Sequence, residues 1–325
     1  MKYAKARFAV TAITMMLMVF STGGATADAG REEKEIAILP GWKDGDSRAY
    51  ERIKTRRRLR DGKETGRGSA RTPVRVTIAE ANEDGYLIRW SYGETKSDDP
   101  GADKDPVVGA MNRIVDGMEV ELEVDRDAMI QGVRNWEELK TAAGSIVDVL
   151  VGKQRDQGMD QPTLDKTRAT LASMFATRAQ VEGLFTREPQ LFFVPIGRAY
   201  LPGRPIEYED RLPNPVGGEP FPCRGKFELK SYDRATGRAV VGWTQVVDPE
   251  VARRVMAEAI RKMGERLGKK PPDAEDLESL IVEDHAEFVL DARTGWIERF
   301  SHTRTTKSGR VSQEDIITMQ RIEKN

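Results

Sequence analysis

Apolar and polar residues alternate most regularly near the C-terminal end of the chain, in residues 280–306. Ala286, Phe288 and Leu290 alternate with more polar neighbours before the segment Asp291–Gly295, and the alternation resumes at Trp296. A period of two predicts half-buried β-strands, and a segment of this composition closed by a glycine is typical of a tight turn. We therefore predict a β-hairpin with Phe288, Leu290, Trp296 and Phe300 facing the core, and with Glu287 and Arg299 on the wetter face.

Similar strands are predicted along most of the chain, separated by turn residues. The glycine- and arginine-rich residues 61–70 predict a loop, and the proline- and glycine-rich residues 195–222 predict a long crossing loop. The predicted strands are residues 50–59, 74–78, 86–92, 120–124, 129–134, 226–232, 238–247 and 315–322.

Two predicted helices begin at an Asp-Pro pair, Asp105-Pro106 and Asp248-Pro249. Aspartate is a good N-cap and proline suits the first helical position. Each of these helices follows one predicted strand pair and precedes another, so we infer an internal duplication whose two halves superpose. Other predicted helices are residues 136–151 and 163–185, which form an insert between the halves, and a short helix at residues 274–280.

These elements predict an α+β fold, with a curved antiparallel β-sheet built from meanders, open or half-barrel, and covered by helices. Residues 28–44 are expected to be a flexible leader. Residues 45–190 are expected to form the first half with its helical insert, and residues 191–325 the second half.

The N-terminal residues have the three parts of a secretory signal peptide. Lys2, Lys5 and Arg7 precede an apolar run over residues 8–20, and a small-x-small motif ends at Ala27. The alternative is an uncleaved anchor, but the run is shorter than the roughly 20 residues of a spanning helix. We expect residues 1–27 to be removed and the protein to be periplasmic or extracellular, without a membrane span after signal removal.

The charge and cysteine content restrict the partners and the means of stabilisation. Removing residues 1–27 takes away three basic residues and leaves 49 basic and 53 acidic ones, a net charge of −4. This balance argues against nucleic acid as a partner, and the basic run Arg56–Arg58 lacks interleaved aromatic residues. Cys223 is the one cysteine, so an exported chain would be stabilised by packing without an intramolecular disulfide.

No catalytic or metal-binding motif is recognised in the sequence. The sequence lacks nucleophile-elbow, phosphate-loop and zinc-binding motifs, and Cys223 is expected to be a packed thiol. Pairing Leu290 with Trp296 would place His302 beside Asp284 and His285 on the opposite face, so the two imidazoles could not share a metal ion. We assign no catalytic, cofactor-binding or metal-binding residue and expect a protein that is not an enzyme.

Two further candidates for ligand binding have ordinary explanations. The acidic residues 98–105 lack the alternating oxygen ligands of a calcium loop, so a solvated loop is expected. Trp90, Trp243 and Trp296 share strand faces with apolar residues, so core packing is favoured over sugar stacking.

Antiparallel meanders that carry a helix between consecutive strands, with the turns Asp233–Gly237 and Asp291–Gly295, resemble the bacterial lipoprotein-carrier type of fold. They also resemble uncharacterised exported bacterial domains with a similar fold. The resemblance covers most of residues 45–325. It implies an open, strongly curved sheet lined with apolar side chains and partly covered by helices, with a lipid or another apolar small molecule as ligand.

Two functions are compatible with these features. The first is an exported, non-catalytic binding or carrier module for an apolar ligand. The alternative is an envelope protein that acts through structure or protein contacts and has no ligand pocket. A closed apolar cavity of roughly a few hundred Å³ would favour the first, and a close-packed interior would favour the second.

Overall fold

A computed structural model describes residues 34–98, 106–212, 220–267 and 280–322 of the 325-residue chain. These residues form an α+β fold dominated by one antiparallel sheet of twelve strands. The strands are β1 Ile36–Ile38, β2 Ser47–Arg60, β3 Lys63–Ala81, β4 Tyr86–Tyr92, β5 Lys96–Ser97, β6 Glu119–Val124, β7 Ile130–Val133, β8 Arg198–Tyr200, β9 Ile206–Leu212, β10 Phe221–Tyr232, β11 Arg238–Val247, β12 Ile281–Asp291, β13 Trp296–Ser308 and β14 Val311–Ile322. The helices are α1 Pro106–Val115, α2 Trp136–Asp156, α3 Gln161–Ser173, α4 Arg178–Phe185, α5 Arg187–Phe193 and α6 Pro249–Leu267.

The large sheet consists of two meanders joined side by side. Strands β2, β3, β4, β6 and β7 form the first, and β9 to β14 form the second. The meanders meet where β14 pairs with β2 over the length of both strands, from Val311 opposite Arg60 to Ile322 opposite Ala49. Strands β7 and β9 lie at the two edges of this order, so the sheet is not closed. The predicted fold class is therefore confirmed.

The face of the sheet that packs against the helices, called here the inner face, carries the main core. Its largest buried side chains include Tyr50, Trp90, Trp243, Phe288 and Phe300. The predicted core positions in the C-terminal hairpin are confirmed, since Leu290 and Trp296 are also buried, but the alternation is not strict because Val289 and Ile297 are buried as well. Glu287 and Arg299 form an ion pair on the exposed side. Core packing of the three tryptophans named from the sequence is confirmed as well.

The register of this hairpin differs from the expected one at the turn and again at a β-bulge. Leu290 lies opposite Ile297 rather than Trp296, and the register shifts again before Phe288 meets Phe300. One extra residue on β13 lets both Trp296 and Ile297 be buried, because a bulge re-aims the side chains beside it. Beyond the bulge the pairing has moved by two residues in all, so the side chains there keep the faces predicted for them, whereas Ile297 shares the face of Leu290.

The loop predicted at residues 61–70 is wrong, since most of these residues continue β3. Asp61 and Gly62 both have positive φ, 52° and 74°, as a two-residue hairpin turn requires. The strand then runs antiparallel to β2 from Lys63 onward. Pairing with β2 overrides the weak strand preference of its glycines.

The long crossing loop predicted at residues 195–222 is also wrong in part. Strands β8 and β9 and the start of β10 lie in this segment, and β9 forms an edge of the large sheet. Prolines near a strand are compatible with an edge position, because an edge strand has one side without ladder partners.

The expected flexible leader, residues 28–44, is packed where the structure describes it. Strand β1 pairs with β8, and Trp42 is buried with its ring 5.7 Å from that of Trp296. A three-residue strand is too short to produce a periodic pattern, so the sequence did not reveal it.

The two Asp-Pro helices have equivalent places in the connectivity. Helix α1 joins the neighbouring strands β4 and β6, and α6 joins the neighbouring strands β11 and β12. Superposition of the two halves stays a prediction. In the insert, residues 163–185 form two helices rather than one, because Thr177 and Gln180 make a capping box that begins α4. Residues 274–279 of the short predicted helix lie outside the described residues.

Candidate functional site

Helix α5 packs two aromatic side chains, Phe192 and Phe193, against the inner face; we call this pair the aromatic plug. The Phe192 ring lies 5.2 Å from Tyr50, 5.3 Å from Trp90 and 5.9 Å from Phe300, edge-on in each case. Edge-to-face contacts are a preferred geometry of aromatic pairs. The plug thus lies against rings from strands β2, β4 and β13.

A polar contact holds the first turn of α5 to the sheet. The Arg52 guanidinium on β2 donates a hydrogen bond of 2.9 Å from Nε to the Glu188 carboxylate. Both side chains are largely buried, at 13% and 12% exposure, so this ion pair is screened less than a surface pair. The contact fixes the helix end next to the aromatic plug.

Next to the apolar part of the inner face lies a row of alternating charges, called here the charged row. Asp284 pairs with Arg304 across β12 and β13, Arg304 with Asp315 across β13 and β14, and Asp315 with Arg56 across β14 and β2. Arg304 donates two hydrogen bonds to Asp284, of 2.8 Å and 2.7 Å, and Arg56 Nε lies 2.6 Å from Asp315 Oδ1. Each charge therefore has an opposite charge as its cross-strand neighbour.

His302 completes the buried end of the charged row. Its Nε2 donates a 2.8 Å hydrogen bond to Asp284 Oδ1, and its ring stacks near Phe300 and Trp243 at 6.3 Å and 6.1 Å. Burial lowers the pKa of His302 more than Asp284 raises it, so the imidazole is neutral at pH 7. Burial alone would raise the pKa of Asp284, but the Arg304 charge and the bonds from His302 and Arg304 hold that pKa well below its usual range.

Asp284, His302 and Arg304 have the features of a structural ion cluster. The candidate nucleophile Cys223 is not activated. Cys223 is buried, and burial followed by the nearby Asp210 charge raises the pKa of its thiol to about 12. A protonated thiol is a poor nucleophile. The packed-thiol interpretation of Cys223 is confirmed. The predicted proximity of His302 to Asp284 is confirmed by their hydrogen bond, although the cross-strand partner of His302 is Ala286.

The second histidine lies on the other face of the sheet. His285 is 57% exposed, and its Nε2 is 3.8 Å from a Glu283 carboxylate oxygen. The prediction that the two imidazoles cannot share a metal ion is confirmed. Within the described part of the chain, no group of three or more His, Cys, Asp or Glu side chains is arranged to hold a metal ion. Residues 99–105 of the candidate calcium loop lie outside the described residues.

Two surface grooves accompany the sheet. One, of about 250 Å³, lies over β10 to β13 and includes Lys226, Lys230 and His285 in its lining. The other, of about 420 Å³, lies between α1, β6 and α2. Both are open to solvent, whereas the aromatic side chains of the inner face are close-packed against α5. None of the helices in the described ranges is long and apolar enough to cross a membrane.

Several residues that build this region, Arg52, Lys54 and Glu188 among them, were not predicted from the sequence. Every second position along β2 is basic over the residues Arg52, Lys54 and Arg56. This period of two could have predicted a positively charged strand face. The basic run Arg56–Arg58 divides between faces: Arg56 bonds inward to Asp315, while Arg57 pairs with Glu64 and Glu314.

No protein-family model matches the sequence, and no curated protein sequence matches it. One solved structure that matches is of lipovitellin, described in the words "lipid-protein interactions in lipovitellin", with 9% sequence identity and a TM-score of 0.41. The match covers 86% of this chain and 25% of that one. A likeness this low assigns neither a family nor a ligand to this chain.

Proposed function

We propose that the protein is an exported, non-catalytic binding module that holds the apolar part of a lipid or small molecule on its inner face. The observation that carries this proposal is the aromatic plug. Phe192 and Phe193 occupy the inner face of an unclosed sheet through side-chain contacts, as the apolar part of a ligand would. A ligand that displaced α5 would replace these contacts with its own.

The position of α5 in the chain suits such a displacement. The helix has seven residues, and Thr186 serves both as the C-cap residue of α4 and as the N-cap residue of α5. A change of backbone angles at this junction would move the plug while the strand ladders stay intact. The ligand shifts the equilibrium only if it binds the displaced state more tightly.

The second candidate is a structural or protein-interaction protein without a ligand pocket. The close packing of the inner face favours it, because a filled interior is the ordinary state of a protein core. In that case α5 is a permanent part of the core.

An apolar dye separates the two candidates. N-phenyl-1-naphthylamine should bind the purified protein saturably, with one site per chain and quenching of tryptophan fluorescence. Glu188→Gln weakens the contact that holds α5, so the apparent affinity should rise by about fivefold. The matched control Glu64→Gln alters an exposed ion pair with Arg57 and should leave the affinity unchanged.

Hydrogen exchange provides the structural readout. Saturation with the dye should speed amide exchange in α5 and leave the β12–β13 ladder protected. Absence of saturable dye binding to both the wild type and Glu188→Gln would contradict the carrier proposal and favour the second candidate.

The proposed export of the protein predicts a cleaved N-terminus. Mass spectrometry of the protein from its native host should find a chain that begins after Ala27 or after Ala29, because the N-terminal pattern contains a small-x-small cleavage motif. A mature protein that retains residues 1–27 would contradict this prediction.

A further inference from the structure

Lys54 differs from its basic neighbours on the inner face of β2. Arg52 and Arg56, two residues before and after it, have Glu188 and Asp315 as acidic partners. Lys54 is half-buried and forms no hydrogen bond or ion pair with any residue that the structure describes. Its cross-strand neighbours are Ile317 on β14 and Ala70 on β3, and neither can supply a countercharge.

The charges around Lys54 are mostly positive. Arg52, Arg56 and Arg187 all disfavour its protonated form, and Glu188 is the acidic group that favours it. Burial, followed by these cations, lowers the pKa of Lys54 to about 8, so the amine stays mainly charged at pH 7. An unpaired, partly desolvated charge is costly to a folded protein, and an anion would remove that cost.

There is room for an anion beside this lysine. Gly68 on β3 lies directly opposite Arg56, and Ala70 lies opposite Lys54. A side-chain carbon built on Gly68 would meet no atom within 4 Å. The inner face is therefore open at this position, next to two cations.

We infer that Lys54, with Arg56 beside it, binds an anion of the phosphate or carboxylate class in the space over Gly68 and Ala70. The Lys54 ammonium supplies the charge that lacks an internal partner, and an arginine fork is well shaped for such oxyanions. Two sources share this chemistry, a free anion and the head group of an amphiphile. The inference goes beyond the proposed function and does not require displacement of α5.

Calorimetric titration at pH 7 tests the site with two probes, inorganic phosphate and dodecyl phosphate. Wild-type protein should bind phosphate, and Lys54→Met should weaken binding by about tenfold or more, as loss of a charge-assisted contact does. The matched control is Lys307→Met, which removes the same charge from an exposed position on β13 and should change the affinity less than about twofold.

The two probes identify the source of the anion. Tighter binding of dodecyl phosphate than of phosphate, lost in Lys54→Met, supports an amphiphile head group. Equal binding of both supports a free anion. Failure of the wild type to bind either probe, or equal binding by wild type and Lys54→Met, would overturn the inference. Dye binding reports on the aromatic plug separately, so the two proposals can fail independently.

Thermal melts test whether the Lys54→Met protein is stably folded, so that weaker anion binding is not caused by unfolding. Without added anion, Lys54→Met should melt about 2 °C or more above the wild type, because an unpaired buried charge has been removed. Added phosphate should raise the melting temperature of the wild type and leave that of Lys54→Met unchanged. A lower melting temperature for Lys54→Met without anion would mean that Lys54 has a structural partner, and would overturn the inference.

Discussion

Asp284→Asn should lower the free energy of unfolding by about 3–5 kcal/mol, the usual loss when one member of a buried ion pair is removed. Asp284 is fully buried and Arg304 is 3% exposed. The substitution keeps the shape of the side chain but leaves the Arg304 guanidinium without its carboxylate, and it weakens the bond from His302. Urea unfolding followed by fluorescence would measure the loss.

A matched control and a double substitution sharpen this prediction. Glu287→Gln, on the same strand but with an exposed ion pair, should change stability by less than about 0.5–1 kcal/mol. Asp284→Leu combined with Arg304→Met removes both charges and should recover much of the loss, since an apolar replacement leaves no unpaired ion. Equal, small losses in Asp284→Asn and Glu287→Gln would contradict the buried pairing.

The same carboxylate sets an acid limit on stability. Its pKa is lowered in the folded protein, so the unfolded chain takes up the proton first as the pH falls. The contribution of Asp284 is therefore fully present above its unfolded pKa of about 3.9 and is lost progressively as the pH falls from there through its lower folded pKa. The stability difference between the wild type and Asp284→Asn should be constant near neutral pH and should shrink below about pH 4.

Trp296→Ala should cost about 3–5 kcal/mol, the usual range for truncating a buried tryptophan. The side chain is 4% exposed, its ring packs against Trp42, and the Arg48 guanidinium lies 4.9 Å from the ring centroid. Arg299→Ala, three residues along the same strand, removes a side chain that is 54% exposed and should change stability by less than about 0.5 kcal/mol. Urea melts of both variants would compare them. Similar, small losses would show that Trp296 contributes little to the core.

Local patterns predicted most elements of the sheet because each depends on neighbouring residues alone. Strand β4 and strand β11 were predicted with the bounds that the structure has, and α1 and α6 begin at their Asp-Pro pairs. The errors at β3, β8 and β9 share a cause. Glycine-, arginine- and proline-rich segments form strands there because a partner strand pairs with them, and local composition does not describe the partner.

The candidate site was predicted only in fragments. The contact between His302 and Asp284 follows from the alternation of side chains along one hairpin. It persists because the turn and the bulge on β13 each move the register by one residue, two residues in all from the expected pairing. The aromatic plug and the environment of Lys54 could not be predicted, since they depend on where α5 packs. Its ion pair with Arg52 joins residues 136 positions apart.

Local sequence patterns were enough to predict the fold class, most buried faces of the strands and the starts of the Asp-Pro helices, because periodicity and capping act within a few residues. The three-dimensional fold was needed to establish that β14 pairs with β2 and that Arg56 contacts Asp315, 259 positions away. It also placed α5 on the inner face and left Lys54 without an acidic partner among the residues that the structure describes. The physical reason is that ion pairs and core contacts depend on distance in space, and chain folding brings together residues whose separation in sequence carries no local pattern.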